Sequence, residues 1–167
     1  MRPGPPFAER VVAELRACGV THVIYLPDSA THALRDAVER EPRLTLVPVC
    51  REGEALGIAT GLIVGGKIPV VVHQSTGLFE SGDSIRGFAL DLRLPVLLLI
   101  EYRGWSPNRA ATDSAAVFVE PILRAWGIRH YVLKAGADPG VISRGAAEAR
   151  EAQAPVAILL ARTDRTA

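Results

Sequence analysis

Apolar residues alternate between two spacings along the whole chain. Short runs rich in β-branched residues predict strands at 22–26, 44–49, 69–73, 95–100, 129–133 and 156–160. Stripes at helical spacing predict helices at 7–17, 31–40, 52–64, 84–92, 116–126 and 139–152. Turn residues separate these segments, and Gly19 is expected to close the first helix. Helices and strands therefore alternate from one end of the sequence to the other.

The strands at 70–72 and 96–100 are apolar without interruption. Continuous apolar strands separated by helices indicate a parallel sheet that is covered on both faces. The pattern predicts an α/β fold: a single doubly wound domain, residues 1–167, with a six-stranded, mostly parallel sheet. Ligands of such sheets bind beyond the carboxyl ends of the strands. Functional residues are therefore expected in the loops at 27–31, 50–53, 74–83 and 101–113.

Composition excludes several classes of partner. The chain has 167 residues, 49% of them hydrophobic, and a net charge of +1 without a basic run, so neither nucleic acid nor an anionic membrane is expected to bind. The longest apolar stretch, 94–100, is much shorter than the about 20 residues of a membrane span. The first residues lack the apolar core of a signal peptide, so the cytoplasm is the expected compartment. Neither the two cysteines nor the four histidines are spaced as ligands, so no metal site is expected.

The segment at 51–61 combines acidic residues with unusually small ones. Glycine inside a helix costs about 1 kcal/mol relative to alanine, so Gly57 and Gly61 need an explanation. One explanation is that the glycines let the helix pack tightly on its own sheet, while Glu52 and Glu54 favour the helix amino terminus. The other is close approach by another backbone.

This segment resembles the signature of the pyrimidine-binding domain of thiamine-diphosphate enzymes. In that signature a Glu is followed, nine positions later, by the Gly of an Ala-x-Gly sequence, which matches Glu52 and Gly61. The resemblance implies that Glu52 hydrogen-bonds N1′ of the aminopyrimidine and favours the tautomer whose 4′ nitrogen removes the C2 proton of the thiazolium. Burial among apolar residues would let such a carboxyl group share a proton near neutral pH. Glu54 is two residues too close to Gly61.

Three more segments resemble loops of phosphonopyruvate and sulfopyruvate decarboxylases: 25–29, 74–78 and 102–104. The resemblance implies that Asp28 and Ser29 orient the carboxylate of a small 2-oxo acid or relay a proton. The next loop, with Gln74, Ser75, Thr76 and Gly77, is expected to bind the cofactor. Arg103, ahead of Arg51 and Arg86, is expected to pair with a sulfonate or phosphonate, because guanidinium is a planar fork of donors.

Some positions have alternative interpretations. Asp28 and Ser29 could equally turn the chain and cap the next helix. His73 resembles a proton-transferring histidine of benzoylformate decarboxylase, a role suited to the near-neutral pKa of imidazole. It could instead be a strand-end histidine bonded to backbone. Phe79 and Glu80 replace the Gly-Asn that follows Gly-Leu in the other decarboxylases, which leaves the exact substrate open.

The family's second half is missing from this sequence. The diphosphate-binding domain carries Gly-Asp-Gly and a downstream Asn, which hold Mg²⁺; Gly82-Asp83-Ser84 and Asn108 match poorly because the last Gly is absent. The resemblance therefore implies an alpha subunit that shares thiamine diphosphate with a beta subunit bearing Gly-Asp-Gly and Mg²⁺, in a hetero-oligomer. Its interface is expected at Gly57, Gly61 and Leu62. Two alternatives are a carboligating subunit like acetolactate synthase and a non-catalytic flavodoxin-like module for binding or regulation.

Overall fold

The computed structural model describes residues 6–29, 31–107 and 111–161. Six strands form one sheet in the order β2-β1-β3-β4-β6-β5, and every neighbouring pair is parallel. This confirms the predicted doubly wound α/β fold, with a sheet that is parallel throughout. The strands are β1 His22–Tyr25, β2 Thr45–Pro48, β3 Pro69–Gln74, β4 Leu97–Glu101, β5 Arg129–Lys134 and β6 Val156–Ala161.

Seven α-helices and one π-helical segment are present in the described part of the chain. The first closes as predicted: Gly19 has φ +83°, and the Val20 amide donates to the Leu15 carbonyl over 2.9 Å, as in a Schellman motif. The helices are α1 Phe7–Ala17, α2 His32–Glu39, α3 Glu52–Val64, α4 Ser75–Glu80, α5 Gly82–Ser84, π1 Ile85–Asp91, α6 Ala115–Ala125 and α7 Val141–Ala152. Residues 108–110, which include Asn108, lie outside the described residues.

The predicted loop at 74–83 is wrong, because α4 begins directly after β3. Ser, Thr and Gly favour turns in isolation. Here Leu78 is fully buried in the core and Ser81, also buried, donates its hydroxyl to the Gly77 carbonyl over 2.8 Å. Tertiary packing therefore overrides the local preference, and the glycine-containing segment is helical.

Helices cover both faces of the sheet. Side chains such as Val70 and Val72 pack with α1, α2 and α7, whereas Val71 and Leu98 pack with α3, α4, π1 and α6. The alternation along each strand therefore places consecutive residues of β3 in two separate cores. None of the helices within the described ranges is long and apolar enough to cross a membrane.

The strand order creates a crevice at the carboxyl edge. From β1 the chain moves outward to β2 and then returns to β3 on the other side of β1, so the connections after β1 and β3 diverge. Such a switch point is where open α/β sheets bind ligands. The predicted site residues follow four adjacent strands: Asp28 after β1, Glu52 after β2, Gln74 at the end of β3 and Arg103 after β4.

Candidate functional site

The first residue of α3 lies across α4. A Cβ atom built on Gly77 would be 2.7 Å from Glu52 Cγ and 3.0 Å from Glu52 Oε1, closer than side chains pack. Only glycine at position 77 therefore leaves room for the Glu52 side chain. The segments that contain Glu52 and Gly77 each resemble the same enzyme family, and here they are in contact at the carboxyl edge of the sheet.

Glu54 has a different environment. Its Oε2 accepts a hydrogen bond from the Cys50 backbone amide over 3.2 Å, at the junction between β2 and α3. This is the type of contact that satisfies free amides at a helix start. The Glu54 carboxylate is therefore used in the helix terminus, whereas the side chain of Glu52 turns towards α4.

His73 is buried beside Glu52. Its side chain is 1% exposed, and neither ring nitrogen has a hydrogen-bond partner among the described residues. The Glu52 backbone nevertheless lies close enough to act on the ring, so the alternative of a strand-end histidine bonded to backbone remains open. Desolvation lowers the pKa of His73 to about 4, although the backbone of Glu52 and the charges of Glu80 and Asp28 act in the opposite direction. With its pKa lowered to about 4, the buried imidazole is uncharged at neutral pH.

Replacing His73 by Leu should make the protein less sensitive to acid. The folded-state pKa of about 4 lies below the unfolded value of 6.5, so between these pH values the unfolded chain binds more protons. Stability is therefore lost as the pH falls through this range, by about 3 kcal/mol for this one residue. Urea unfolding at about pH 7 and about pH 4.5 should show a smaller pH effect in His73→Leu. An identical pH effect in both proteins would contradict a buried neutral imidazole.

Arg51, a secondary candidate for the anion contact, and Glu80, which was not expected in the site, hold the start of α3 to the end of α4. Glu80 Oε2 accepts a hydrogen bond from the Gly53 amide over 2.9 Å, and Arg51 forms an ion pair with the same carboxylate. The Arg51 hydrogen bond is the main cause that lowers the pKa of Glu80; burial opposes it, and the Gly53 amide adds a smaller lowering effect. Glu80 is one of the two positions at which the chain departs from the Gly-Leu-Gly-Asn pattern. This departure from the pattern is the feature of the sequence that marks Glu80 as unusual.

The ends of β3 and β4 are tied together by polar side chains. The Arg103 guanidinium donates to Asp113 Oδ2 from Nε over 2.7 Å and to Gln74 Oε1 from Nη1 over 2.9 Å. The hydroxyl of the fully buried Ser75 donates to the Glu101 carbonyl over 3.0 Å. Gln74 and Arg103 therefore lie together at this edge, whereas Ser75 uses its hydroxyl within the protein. Thr76, one residue further along α4, is exposed.

The loop after β1 turns the chain towards α2. Asp28 Oδ1 accepts a hydrogen bond from the Thr31 amide over 2.8 Å, just before α2. Ser29 is exposed, and its carbonyl accepts a hydrogen bond from His32 Nδ1 over 2.7 Å. The Asp28 contact therefore stabilises the turn before α2, whereas the N-cap residue Thr31 makes no side-chain capping hydrogen bond. Asp28 is also close enough to His73 to affect its pKa, so the loop borders the same crevice.

The glycines of α3 do not serve packing on the sheet. A Cβ on Gly57 would only touch Phe88 Cζ at an ordinary 3.8 Å, and one on Gly61 would meet nothing within 4 Å. The sheet-facing contacts of α3 come instead from its buried residues Ala55, Leu56 and Ala59. The tight-packing explanation is therefore wrong.

A surface of small and apolar residues is exposed on α3 and next to it. Gly61 is exposed and Leu62 is partly buried, while Val64 is 83%, Leu92 56% and Phe88 38% exposed. Isolated apolar residues are common on protein surfaces, but several in one region indicate an interaction site. This region includes the three expected interface residues.

The segment Gly82-Asp83-Ser84, which weakly matches the metal-binding motif, is not arranged like a metal site. Asp83 is exposed on α5, away from any strand end, and its carboxylate pairs with Arg86 at 2.8 Å. No group of three or more His, Cys, Asp or Glu side chains in the described parts of the chain is arranged to hold a metal ion.

Comparison with known families agrees with the geometry. Residues 6–106 match the family model described as thiamine pyrophosphate enzyme, N-terminal TPP binding domain. The chain belongs to this family. The alpha subunit of sulfopyruvate decarboxylase from Methanothermobacter thermautotrophicus is 26% identical over 97 residues, which cover 58% of this chain and 59% of that subunit. Phosphonopyruvate decarboxylase from Streptomyces viridochromogenes is 30% identical over 97 residues, which cover 58% of this chain and 24% of that enzyme.

The fold also matches a solved structure of a thiamine-diphosphate enzyme. Benzoylformate decarboxylase from Polynucleobacter necessarius superposes with a TM-score of 0.74 at 21% identity. The match covers 94% of this chain but 30% of that one. The chain therefore has the fold of one part of a larger enzyme.

Proposed function

We propose that this chain is the alpha subunit of a thiamine-diphosphate-dependent decarboxylase of a small 2-oxo acid, and that it is active only with a beta subunit. The observation that carries the proposal is the Glu52 side chain lying across Gly77 at the carboxyl edge of the sheet. The similarity to sulfopyruvate and phosphonopyruvate decarboxylases supports a 2-oxo acid that carries a second acidic group.

The residues at this edge fit the pyrimidine end of thiamine diphosphate. Glu52 provides a carboxylate that can bond a ring nitrogen, Gly77 provides space, and the buried His73 has two unpaired nitrogens. When bound, the cofactor supplies the nucleophilic carbon that adds to the keto group and the electron sink for decarboxylation. Gln74 and Thr76, at the junction of β3 and α4, complete the proposed cofactor edge; Ser75 supports it from inside through its bond to the Glu101 carbonyl, and Gly77 leaves the space for Glu52.

Glu52 and His73 have different proton-transfer roles in this proposal. Glu52 holds a proton at the pyrimidine ring, which requires a carboxyl group that hydrogen-bonds rather than one saturated by cations. His73, with its pKa lowered to about 4, is uncharged at neutral pH and can donate or accept a hydrogen bond near the substrate. Asp28 and Ser29 border the crevice from the β1 side and would orient the carboxylate of the 2-oxo acid.

Arg103 is the proposed contact for the second acidic group of the substrate. Asp113 and Gln74 already accept hydrogen bonds from its Nε and Nη1. Within the described residues, Nη2 makes no hydrogen bond, so Arg103 retains donors for a sulfonate or phosphonate. The Asp113 contact also fixes the guanidinium plane, which favours planar recognition of an anion.

Arg103→Met should raise the KM for sulfopyruvate and phosphonopyruvate by about tenfold or more, because a charge-assisted contact of about 1.5–3 kcal/mol is lost. Pyruvate lacks the second acidic group, so its KM should change much less. Steady-state kinetics of the assembled enzyme with the three substrates measures the difference. Arg86→Met is the matched control, since that arginine is paired with Asp83 and Asp91 on the surface. Equal losses for all three substrates would contradict an anion contact.

The beta subunit is proposed to hold the diphosphate and Mg²⁺ with a Gly-Asp-Gly motif. The name of the Methanothermobacter relative, an alpha subunit, supports a hetero-oligomer. The exposed surface of α3, with Gly57, Gly61 and Leu62, is the proposed contact. Divalent cations need carboxylate oxygens at a strand end, which a partner would have to supply.

Co-expression with the candidate beta subunit tests the function directly. The assembled protein, with thiamine diphosphate and Mg²⁺, should release CO2 from sulfopyruvate or phosphonopyruvate and leave the corresponding aldehyde. A longer carbon chain as the product would instead support carboligation of the acetolactate-synthase type. Assembly without turnover of any 2-oxo acid would support a non-catalytic binding or regulatory module.

A further inference from the structure

The contact between the end of α4 and the start of α3 is built from three residues, which we call the α3–α4 clamp: Arg51, Gly53 and Glu80. The Gly53 amide donates to Glu80 Oε2 over 2.9 Å, while Arg51 pairs with the same carboxylate. The clamp joins residues 27 positions apart in sequence. Glu52 lies between Arg51 and Gly53 in the sequence, so the clamp holds the residues on both sides of it.

The start of α3 needs an acceptor from elsewhere. Arg51 occupies the N-cap position and makes no side-chain capping hydrogen bond, and Arg is not among the preferred N-cap residues. The first amides of a helix have no partner within it. The Glu80 carboxylate supplies one acceptor from another helix, and its negative charge is also favourable at the positive end of α3.

Gly77 and Glu80 contact the start of α3 from one face of α4. They are three positions apart, which places them on the same side of a helix. Gly77 leaves the space that Glu52 occupies, and Glu80 binds the next residue, Gly53. A Cβ on Gly53 would be 3.6 Å from Glu80 Oε2, an ordinary contact distance, and 2.8 Å from the hydroxyl oxygen of Ser84 on α5.

We propose that Glu80 is a positioning residue, whose carboxylate holds the start of α3 on α4 so that the Glu52 side chain stays across Gly77. The proposal rests on the function proposed above for Glu52. It gives a role to Glu80 at the position where the related decarboxylases carry Asn. In this chain the clamp would replace whatever contact that Asn makes.

Glu80 also contributes to the charge around His73. The groups that act on His73 are the Glu80 carboxylate, the Asp28 carboxylate and the backbone of Glu52, and all three oppose the effect of burial. Removal of the Glu80 charge should therefore lower the pKa of His73 further, even if the clamp geometry were kept. This gives the proposal a second, electrostatic readout.

Three variants of the full chain separate these effects. Glu80→Ala removes the acceptor and the charge, whereas Glu80→Gln removes the charge but keeps an oxygen for the Gly53 amide. Asp83→Ala is the control, because Asp83 is another exposed carboxylate that pairs with an arginine nearby, but the arginine is on π1. NMR would measure hydrogen exchange of the Gly53 amide and the titration of His73 without cofactor or partner.

We expect the Gly53 amide to exchange about tenfold faster or more in Glu80→Ala, since a hydrogen bond to a charged group is lost. In Glu80→Gln the increase in the exchange rate of the Gly53 amide should be much smaller. Both variants should lower the pKa of His73. Asp83→Ala should resemble the wild type in both measurements. Unchanged Gly53 exchange in Glu80→Ala would overturn the clamp.

The catalytic consequence is measured in the assembled enzyme. Glu80→Ala should lower kcat by about tenfold, with partial recovery in Glu80→Gln, because a misplaced reacting group loses rate steeply. Full kcat in Glu80→Ala, together with inactive Glu52→Gln, would overturn the positioning role and leave the proposed function standing. Full kcat in both variants would overturn the proposed function itself.

Discussion

Glu52→Gln should nearly abolish decarboxylation in the assembled enzyme while leaving the fold intact. Gln has almost the same shape as Glu, so the space above Gly77 remains filled. It cannot, however, share an acidic proton with a ring nitrogen, because an amide neither ionises nor protonates near neutral pH. The expected loss in kcat is well above tenfold, which corresponds to more than about 1.4 kcal/mol of activation free energy.

Glu54→Gln is the matched control for this substitution. It makes the same chemical change two residues further along α3, and the amide oxygen can still accept the hydrogen bond from the Cys50 backbone. Its effect on kcat should be small. Circular dichroism and urea unfolding should show that both variants are folded. If Glu52→Gln retained more than about a tenth of wild-type kcat, Glu52 would not be the cofactor-activating carboxylate.

The sheet could be predicted from sequence because its signals are local. The runs at 70–72 and 96–100 are apolar on both faces, and only a strand covered by two layers of helices buries such a run. The spacing from Glu52 to Gly61 is also local, since it lies within one helix. Local patterns of this kind contain enough information to place the six strands and to identify the family.

Contacts between distant segments could not be predicted in the same way. Ser75 and Gly77 favour turns on local grounds, and their helical state depends on the burial of Leu78 and on hydroxyl groups that find partners in the core. The Glu80 contact with Gly53 joins two helices across 27 positions, and only the departure from the family motif marked it. Long-range packing determines such contacts, and a single sequence does not display it.

The position of His73 shows the same distinction within one residue. Its place at the end of a strand followed from the apolar run before it. Its complete burial, with neither ring nitrogen paired among the described residues, depends on the helices that cover it. An unpaired buried polar group usually costs about 1–3 kcal/mol. Native proteins retain such groups mainly where function requires them.

The isolated chain should bind thiamine diphosphate weakly and decarboxylate no 2-oxo acid. The pyrimidine edge is present, but the charged diphosphate needs a metal ion or backbone amides that the partner is proposed to supply. Obligate interfaces commonly bury more than about 2,000 Å², and such an interface would cover the apolar surface around α3. Calorimetry with Mg²⁺ and thiamine diphosphate tests the isolated chain. Micromolar binding together with turnover, in the absence of a second polypeptide, would overturn the proposal that the chain is active only with a beta subunit.

Gly61→Arg should separate assembly from folding. Gly61 is exposed within α3 and has open space around its Cα, so a larger residue fits the isolated chain. Arg favours a helix by up to about 1 kcal/mol relative to Gly, so the free energy of unfolding should rise slightly. At the proposed interface the same side chain would clash with the beta subunit. Sedimentation of the mixed subunits should therefore show that Gly61→Arg fails to assemble.

The control for this substitution is Gly136→Arg. Gly136 is also exposed, with nothing within 4 Å of a built Cβ, but it follows β5 at the far edge of the sheet from α3. Gly136→Arg should assemble and restore activity like the wild type. If both arginine variants assembled normally, α3 would not be the contact surface. If Gly61→Arg alone lost assembly while becoming more stable, the glycines of α3 would be explained by the partner that they contact.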